Sequence, residues 1–177
     1  YYLRDIIHIE NAKAYTAILC ILSQASSGIV SLGAAPVADR TGRKPAIYVA
    51  VTMMAMVYVG YCFVDTYEWV VFLGICYGAG NGVYIAVDYA LAVDCLPSQE
   101  EDGAKDLALW GVSAFLGTMF GPCLAGPLLA WLGHIPGSDH YSFDGYVALM
   151  GCGVIYCVGC GSALIFVRKG GEPKSIS

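Results

Sequence analysis

Tyr77, Asn81, Tyr84 and Asp88 recur at i, i+4, i+7 and i+11, the spacing that lines side chains along one face of an α-helix. Two phenols, an amide and a carboxyl therefore share a face within the apolar run Trp69–Val93. Left in hydrocarbon these groups carry a large desolvation cost, so the pattern predicts a face that meets a watery cavity; the alternative is that Tyr77 and Tyr84 pack with satisfied hydroxyls and Asn81 bonds a neighbouring helix. Asp88 is the only charged residue inside the long apolar runs, and a charge at mid-bilayer costs about 2.5–3.5 kcal/mol on the insertion scale. Two chemistries suit it. One is an ion pair with Arg40 or Arg43, because Asp88 precedes Asp94 by about 9 Å of helix and so sits near the basic end of the chain's hairpins. The other is proton exchange, since dehydration favours the neutral carboxyl and an approaching guanidinium the ionised one.

A second constellation is Asp39-Arg40-Thr41-Gly42-Arg43-Lys44, a charged turn between the apolar runs Ala14–Ala38 and Pro45–Val64. Gly42 permits a bend that a side chain would obstruct, and Asp39 is expected near the positive amino end of the following helix. Arg40, Arg43 and Lys44 are within reach of neighbouring carboxylates or anionic head groups. Such a cluster can latch the ends of two helices and release as they rock; the alternative is a topology anchor alone. A weaker polar face lies earlier, with Cys20, Gln24, Ser27 and Ser31 together and Ser23 and Ser26 beside them. No paired carboxylates, His cluster or Ser–His arrangement shares one layer, so no catalytic residue, metal set or cofactor is expected and an intramembrane enzyme is the weakest reading.

These residues need elements to hold them, and composition says which. Of the 177 residues 58% are hydrophobic and 13% charged, with mean hydropathy +0.64, against roughly 25% charge in a soluble domain. A helix needs about 20 apolar residues to cross a bilayer. The chain supplies such runs at Ala14–Ala38, Pro45–Val64, Trp69–Val93, Leu107–Leu132 and Tyr146–Val167, and the ten-residue alternation of a membrane β-barrel is missing. The expectation is an all-α membrane protein of five transmembrane helices: residues 1–13 as an external segment or the end of a preceding helix, 14–167 as the membrane domain (14–38, 45–64, 69–93, 107–132, 146–167) and 168–177 as a cytoplasmic tail. With Asp39–Lys44 inside, seven of the nine Lys and Arg (Arg40, Arg43, Lys44, Lys105, Arg168, Lys169, Lys174) fall inside and only Arg4 and Lys13 outside, in line with the positive-inside bias. The net charge of −5 comes largely from loop acids such as Glu100, Glu101 and Asp102, and no basic patch suits nucleic acid.

Gly74, Gly78, Gly82, Ala86 and Ala90 form a four-residue repeat beside the polar stripe, a seam that lets another helix approach closely. Gly121-Pro122 and Gly126-Pro127 weaken the fourth span twice, giving a hinge or a static kink. Trp69, Trp110 and Trp131 fall near span ends and read as interfacial anchors. His134, Asp139, His140 and Asp144 read as solvated loop residues. The cysteines are mostly inside spans and read as small hydrophobes, Cys157-Val158-Gly159-Cys160 included, since no second pair, His or acid accompanies it. The second and fifth spans, rich in Met53, Met54, Met56, Cys152, Cys157 and Gly159, show no polar face and are expected to face lipid, leaving the first, third and fourth around the cavity.

Ala35 to Lys44 resembles the loop signature of the major facilitator superfamily, G-x-L-x-D-R-x-G-R-[KR]. Asp39, Arg40, Gly42, Arg43 and Lys44 match it, and Ala35 and Val37 depart from its Gly and Leu. Tyr84–Pro97, Gly103–Asp106 and the Gly/Pro-rich span after them are similar in layout to the carboxy-terminal half of such transporters, glycoside and sugar:cation symporters among them. The resemblance implies a partial major-facilitator bundle, with the five spans as helices eight to twelve and Tyr1–Ile7 as the outer end of helix seven. It implies a secondary transporter for a small polar solute, with Gln24, Ser27, Tyr77, Asn81 and Tyr84 at the cavity. Asp39, Arg40, Gly42, Arg43, Lys44 and Asp88 would serve the gate or proton coupling, Gly74, Gly78 and Gly82 the packing, and Pro122 and Pro127 the hinge. Its partners would be solute, protons, lipid and a missing amino-terminal half, with the plasma membrane the favoured location; a scaffold or accessory subunit is the alternative.

Overall fold

The computed structural model describes residues 1–95 and 103–166. The expected tail at 168–177 and the loop acids Glu100, Glu101 and Asp102 lie outside the described residues. Six helices follow in order: α1 (Tyr2–Asp5), α2 (Ala12–Thr41), α3 (Arg43–Tyr61), α4 (Tyr67–Cys95), α5 (Gly103–Leu132) and α6 (Phe143–Ala163). The last five are each long and apolar enough to cross a membrane, and helices satisfy every backbone group from within where lipid offers no partner.

The charged turn is shorter than its six residues suggest. Asp39, Arg40 and Thr41 complete α2, Arg43 opens α3, and Gly42 alone separates them. Its φ of 98° is accessible to glycine at little cost, and its N–H closes α2 on the Ala38 carbonyl at 2.8 Å. Pro45 falls in the first turn of α3, where no N–H is required.

α4 lies at the middle of the packing, with α2 against one side and α3 against another; α6 packs on α3 and α5 on α6, while α5 barely touches α4. The core joins Ile47, Val51 and Met54 of α3 to Val87 and Leu91 of α4, Ala38 of α2, Cys157 of α6 and Leu164. This corrects the expectation for α3. Ile47, Ala50, Val51, Met54 and Val57 form its buried stripe, because the helix is wedged between α4 and α6, while Tyr48, Val49, Met56 and Val59 among others stay exposed. α5 runs through Pro122 and Pro127 as one uninterrupted helix, and its spanning window is unburied by the rest of the chain.

Candidate functional site

The glycine repeat of α4 meets α2 backbone to backbone. A Cβ built on Gly78 would strike the Ser23 carbonyl, and one on Gly82 the Ser27 carbonyl, while Gly74 faces the Leu19 side chain. Ser23 and Ser27 are one helical turn apart, so two turns of α2 seat against two of α4. The Ser26 hydroxyl crosses the same seam to the Ile75 carbonyl at 3.0 Å. Ser27 thus sits at a helix contact, half-buried, whereas Gln24 is exposed.

The polar stripe is distributed among three neighbours. Tyr77 meets Tyr58 of α3, hydroxyl to hydroxyl at 3.3 Å and ring to ring at 5.6 Å. Tyr84 accepts from the Cys160 thiol of α6 at 3.6 Å, which puts the second cysteine of the CxxC spacing on a tyrosine and the first, Cys157, in the core. Asp88 accepts a hydrogen bond from the Trp110 side chain of α5, and the same indole stands edge-on to Tyr89 with centroids 4.2 Å apart. Asn81, midway along the stripe, is half-buried. Trp110 thus packs on the α4 stripe, whereas Trp69 and Trp131 are 60% and 82% exposed.

At the basic end, Arg43 does not reach Asp88. Its guanidinium contacts the Asp94 carboxylate at 2.6 Å and Asp39 at 3.5 Å, and donates to the Ala90 carbonyl as well. The expected ion pair with Asp88 is replaced by one six residues further along α4, where the carboxylate is partly solvated and costs less to keep charged. A cation at the last turn of α4 also offsets the negative end of its dipole. One side chain so ties the last turn of α2, the first of α3 and the last of α4. Arg40 is exposed and Lys44 half-buried.

At the opposite end a cluster with no sequence expectation appears. The Asp5 side chain is fully buried. Its Oδ1 lies 2.6 Å from Arg4 Nε and 2.8 Å from His140 Nδ1, and Oδ2 accepts from the Tyr146 hydroxyl at 2.7 Å and the Tyr141 N–H at 3.1 Å. Burial pushes the carboxyl up, but the four hydrogen bonds together outweigh it and hold Asp5 well below the usual carboxylate range. His140 is hence attached to the bundle rather than merely solvated. A lone acid among Tyr1, Tyr2, Leu3, Ile6 and Ile7 was the available signal.

A family model described as Major Facilitator Superfamily matches residues 6–177. No curated protein and no solved structure matched at a significant level.

Proposed function

The chain belongs to the Major Facilitator Superfamily, a family of transporters, and from that premise we propose that it forms the carboxy-terminal half of a secondary transporter that carries a small polar solute, a sugar or glycoside being the favoured class, by alternating access. The observation that carries this reading is the stripe of α4: its two tyrosines are oriented by α3 and α6, its carboxyl by α5, and between them stands Asn81. Gln24 on the exposed side of α2 supplies a second amide. A solute hydroxyl needs donors and acceptors of this kind, held by partners that fix their direction.

The opposite wall belongs, on this reading, to an amino-terminal half. α2 and α5 keep apolar side chains such as Leu32, Phe115 and Leu124 unburied along most of their length, and polar Gln24, Ser113 and Thr118 lie exposed with them. Lipid suits the first group, and it suits Ser113 and Thr118 as well, whose hydroxyls donate to the Trp110 and Phe115 carbonyls of their own helix, but it does not suit the Gln24 amide. The basic junction faces the cytoplasm, where Arg43 with Asp39, Asp94 and the Ala90 carbonyl holds the inner ends of α2, α3 and α4 together and yields when they separate.

Asp88 is the coupling residue. Its recorded partner is a neutral indole, so it can gain or lose a proton without breaking an ion pair, and a shift of α5 carries Trp110 away from it. The test is Asp88→Asn in the whole transporter reconstituted in vesicles. Uptake driven by a pH gradient should vanish while solute counterflow persists. Loss of both assigns Asp88 to the gate or the packing, retention of both removes it from coupling, and absence of transport by the unsubstituted protein returns the chain to a scaffold or accessory subunit.

A further inference from the structure

The residues that precede α2 lie across the end of the bundle opposite the basic junction. Leu3 is 4% exposed. The Tyr2 hydroxyl donates to the carbonyls of Tyr61 and Val64, at 2.8 and 3.2 Å, where α3 ends, and its ring meets those of Tyr61 and Tyr146 edge-on. The Ile9 N–H returns to the Leu3 carbonyl at 3.1 Å, around a His8 whose φ of 58° turns the chain back toward α2. Tyr2 and Leu3 thus fix this segment to α3 and α6 independently of Asp5.

The loop between α5 and α6 depends on that segment for its position. Its base is a crossing of two glycines: a Cβ on Gly145 would come within 2.5 Å of the Gly133 Cα, and Ser142 donates to the Gly133 carbonyl at 2.8 Å. Beyond this pivot residues 134–140 are exposed, so apolar packing does not hold the tip. What holds it is polar. His140 and the Tyr141 N–H reach Asp5, Arg4 Nη2 donates to the Asp139 carbonyl at 2.5 Å, and Tyr141 stacks edge-on to Tyr1 at 5.7 Å. A shallow polar cleft of about 340 Å³, lined by Tyr1, Arg4, His134, Ser138 and His140 among others, separates loop from segment. The carboxylate's acceptor capacity of roughly four sites is filled by Arg4, His140, Tyr141 and Tyr146, one from the segment itself, two from the loop and one from α6.

We propose that residues 1–9 are a strap, that Asp5 is its fastener, and that releasing Asp5 frees the α5–α6 loop to swing on the Gly133–Gly145 pivot while the helices stay packed. The strap gives the transporter a movable cover over one mouth of the bundle. It rests on the proposed function only for which side of the membrane that mouth faces; the fastening itself is independent of solute. The charged and titratable groups that face Asp5 are Arg4, His140 and Tyr146, with Asp139 contributing its backbone carbonyl to Arg4.

Hydrogen–deuterium exchange on the chain in detergent micelles, without solute, tests this. Asp5→Asn should raise exchange at the Tyr141 amide by at least about tenfold, the loss of a charge-assisted acceptor, with amides of α4 unchanged. Tyr146→Phe, which removes one donor and keeps the carboxylate, should raise it by a smaller factor in the same place. Unchanged Tyr141 exchange in Asp5→Asn with α4 intact overturns the proposal. Should Asp5→Asn unprotect α4 too, Tyr146→Phe decides: a rise confined to the loop supports the strap, while a rise throughout, or none, makes Asp5 a core residue and overturns it. Transport failure through Asp88 leaves all these outcomes readable.

Discussion

Gly78→Ala adds one methyl where α2 and α4 touch, and the structure says what it meets. The new Cβ would lie 2.8 Å from the Ser23 carbonyl carbon and 3.0 Å from its Cα, against about 3.5–4.0 Å for comfortable carbon contact. The obstacle is backbone, its nearest atom the Ser23 carbonyl oxygen, so no rotamer change relieves it, and α2 must retreat by about 1 Å or more. Forced overpacking of this kind costs about 1–3 kcal/mol. Alanine also favours a helix over glycine by about 1 kcal/mol, which would mask part of the loss. Gly28→Ala removes that ambiguity, because its Cβ meets nothing within 4 Å and reports the helix term alone. The gap between the two variants is then the clash itself, about 1–3 kcal/mol, or roughly 2–12 °C in melting temperature for a chain of this size. Thermal loss of the far-ultraviolet dichroism signal in micelles measures it. Equal melting of Gly78→Ala and Gly28→Ala would refute the seam and, with it, the placement of α2 on α4.

Arg43→Gln and Asp94→Asn, singly and together, should show a coupling of about 0.5–1 kcal/mol in thermal melts, modest because the two side chains are 23% and 35% exposed; strictly additive losses would dissolve the pair. Arg43→Gln should cost more than Asp94→Asn, since it also abandons the Ala90 carbonyl. The Asp5 fastening should be complete above the ordinary aspartate pKa of about 3.9. Because the native value is depressed, its contribution is lost only as pH falls further, toward that native value. Tyr141 exchange, corrected for its intrinsic rate, should therefore stay flat from neutral to mildly acidic pH, and a sharp rise at mildly acidic pH would put the controlling proton elsewhere.

Helix existence and approximate ends were legible because lipid permits so few structures: every apolar run became a helix, with boundaries displaced by a few residues where polar flanks such as Asn11 and Asp144 extend the hydrogen-bonded ladder. The face assignments were legible only where chemistry differed from lipid. Gly74, Gly78 and Gly82 announce close approach, whereas Tyr77, Tyr84 and Asp88, expected to line a watery cavity, meet Tyr58, Cys160 and Trp110. Ile47, Val51 and Met54 announce nothing, because in a membrane an apolar stripe serves a protein neighbour and a lipid tail equally well; hence α3 was expected to face lipid and also carries a buried stripe. Partner identity was illegible for a related reason. That Asp88 meets Trp110 and Arg43 meets Asp94 depends on the relative tilt and height of separate helices, which periodicity within each does not encode. Asp5 escaped because its four partners are 1 to 141 positions away and two of its bonds come from a short loop without regular spacing.

Gly42 alone separates α2 from α3, and that economy has a mechanical result. The two rods meet like the arms of a crank, with no slack in which a rotation of one can dissipate before it reaches the other. Arg43 stands at the elbow and grips the last turn of α4, so α4, already seated on α2 through its glycines, is bound to the elbow as well. Lengthening the elbow by a few flexible residues would keep the glycine seam between α2 and α4 while letting α3 turn without α2.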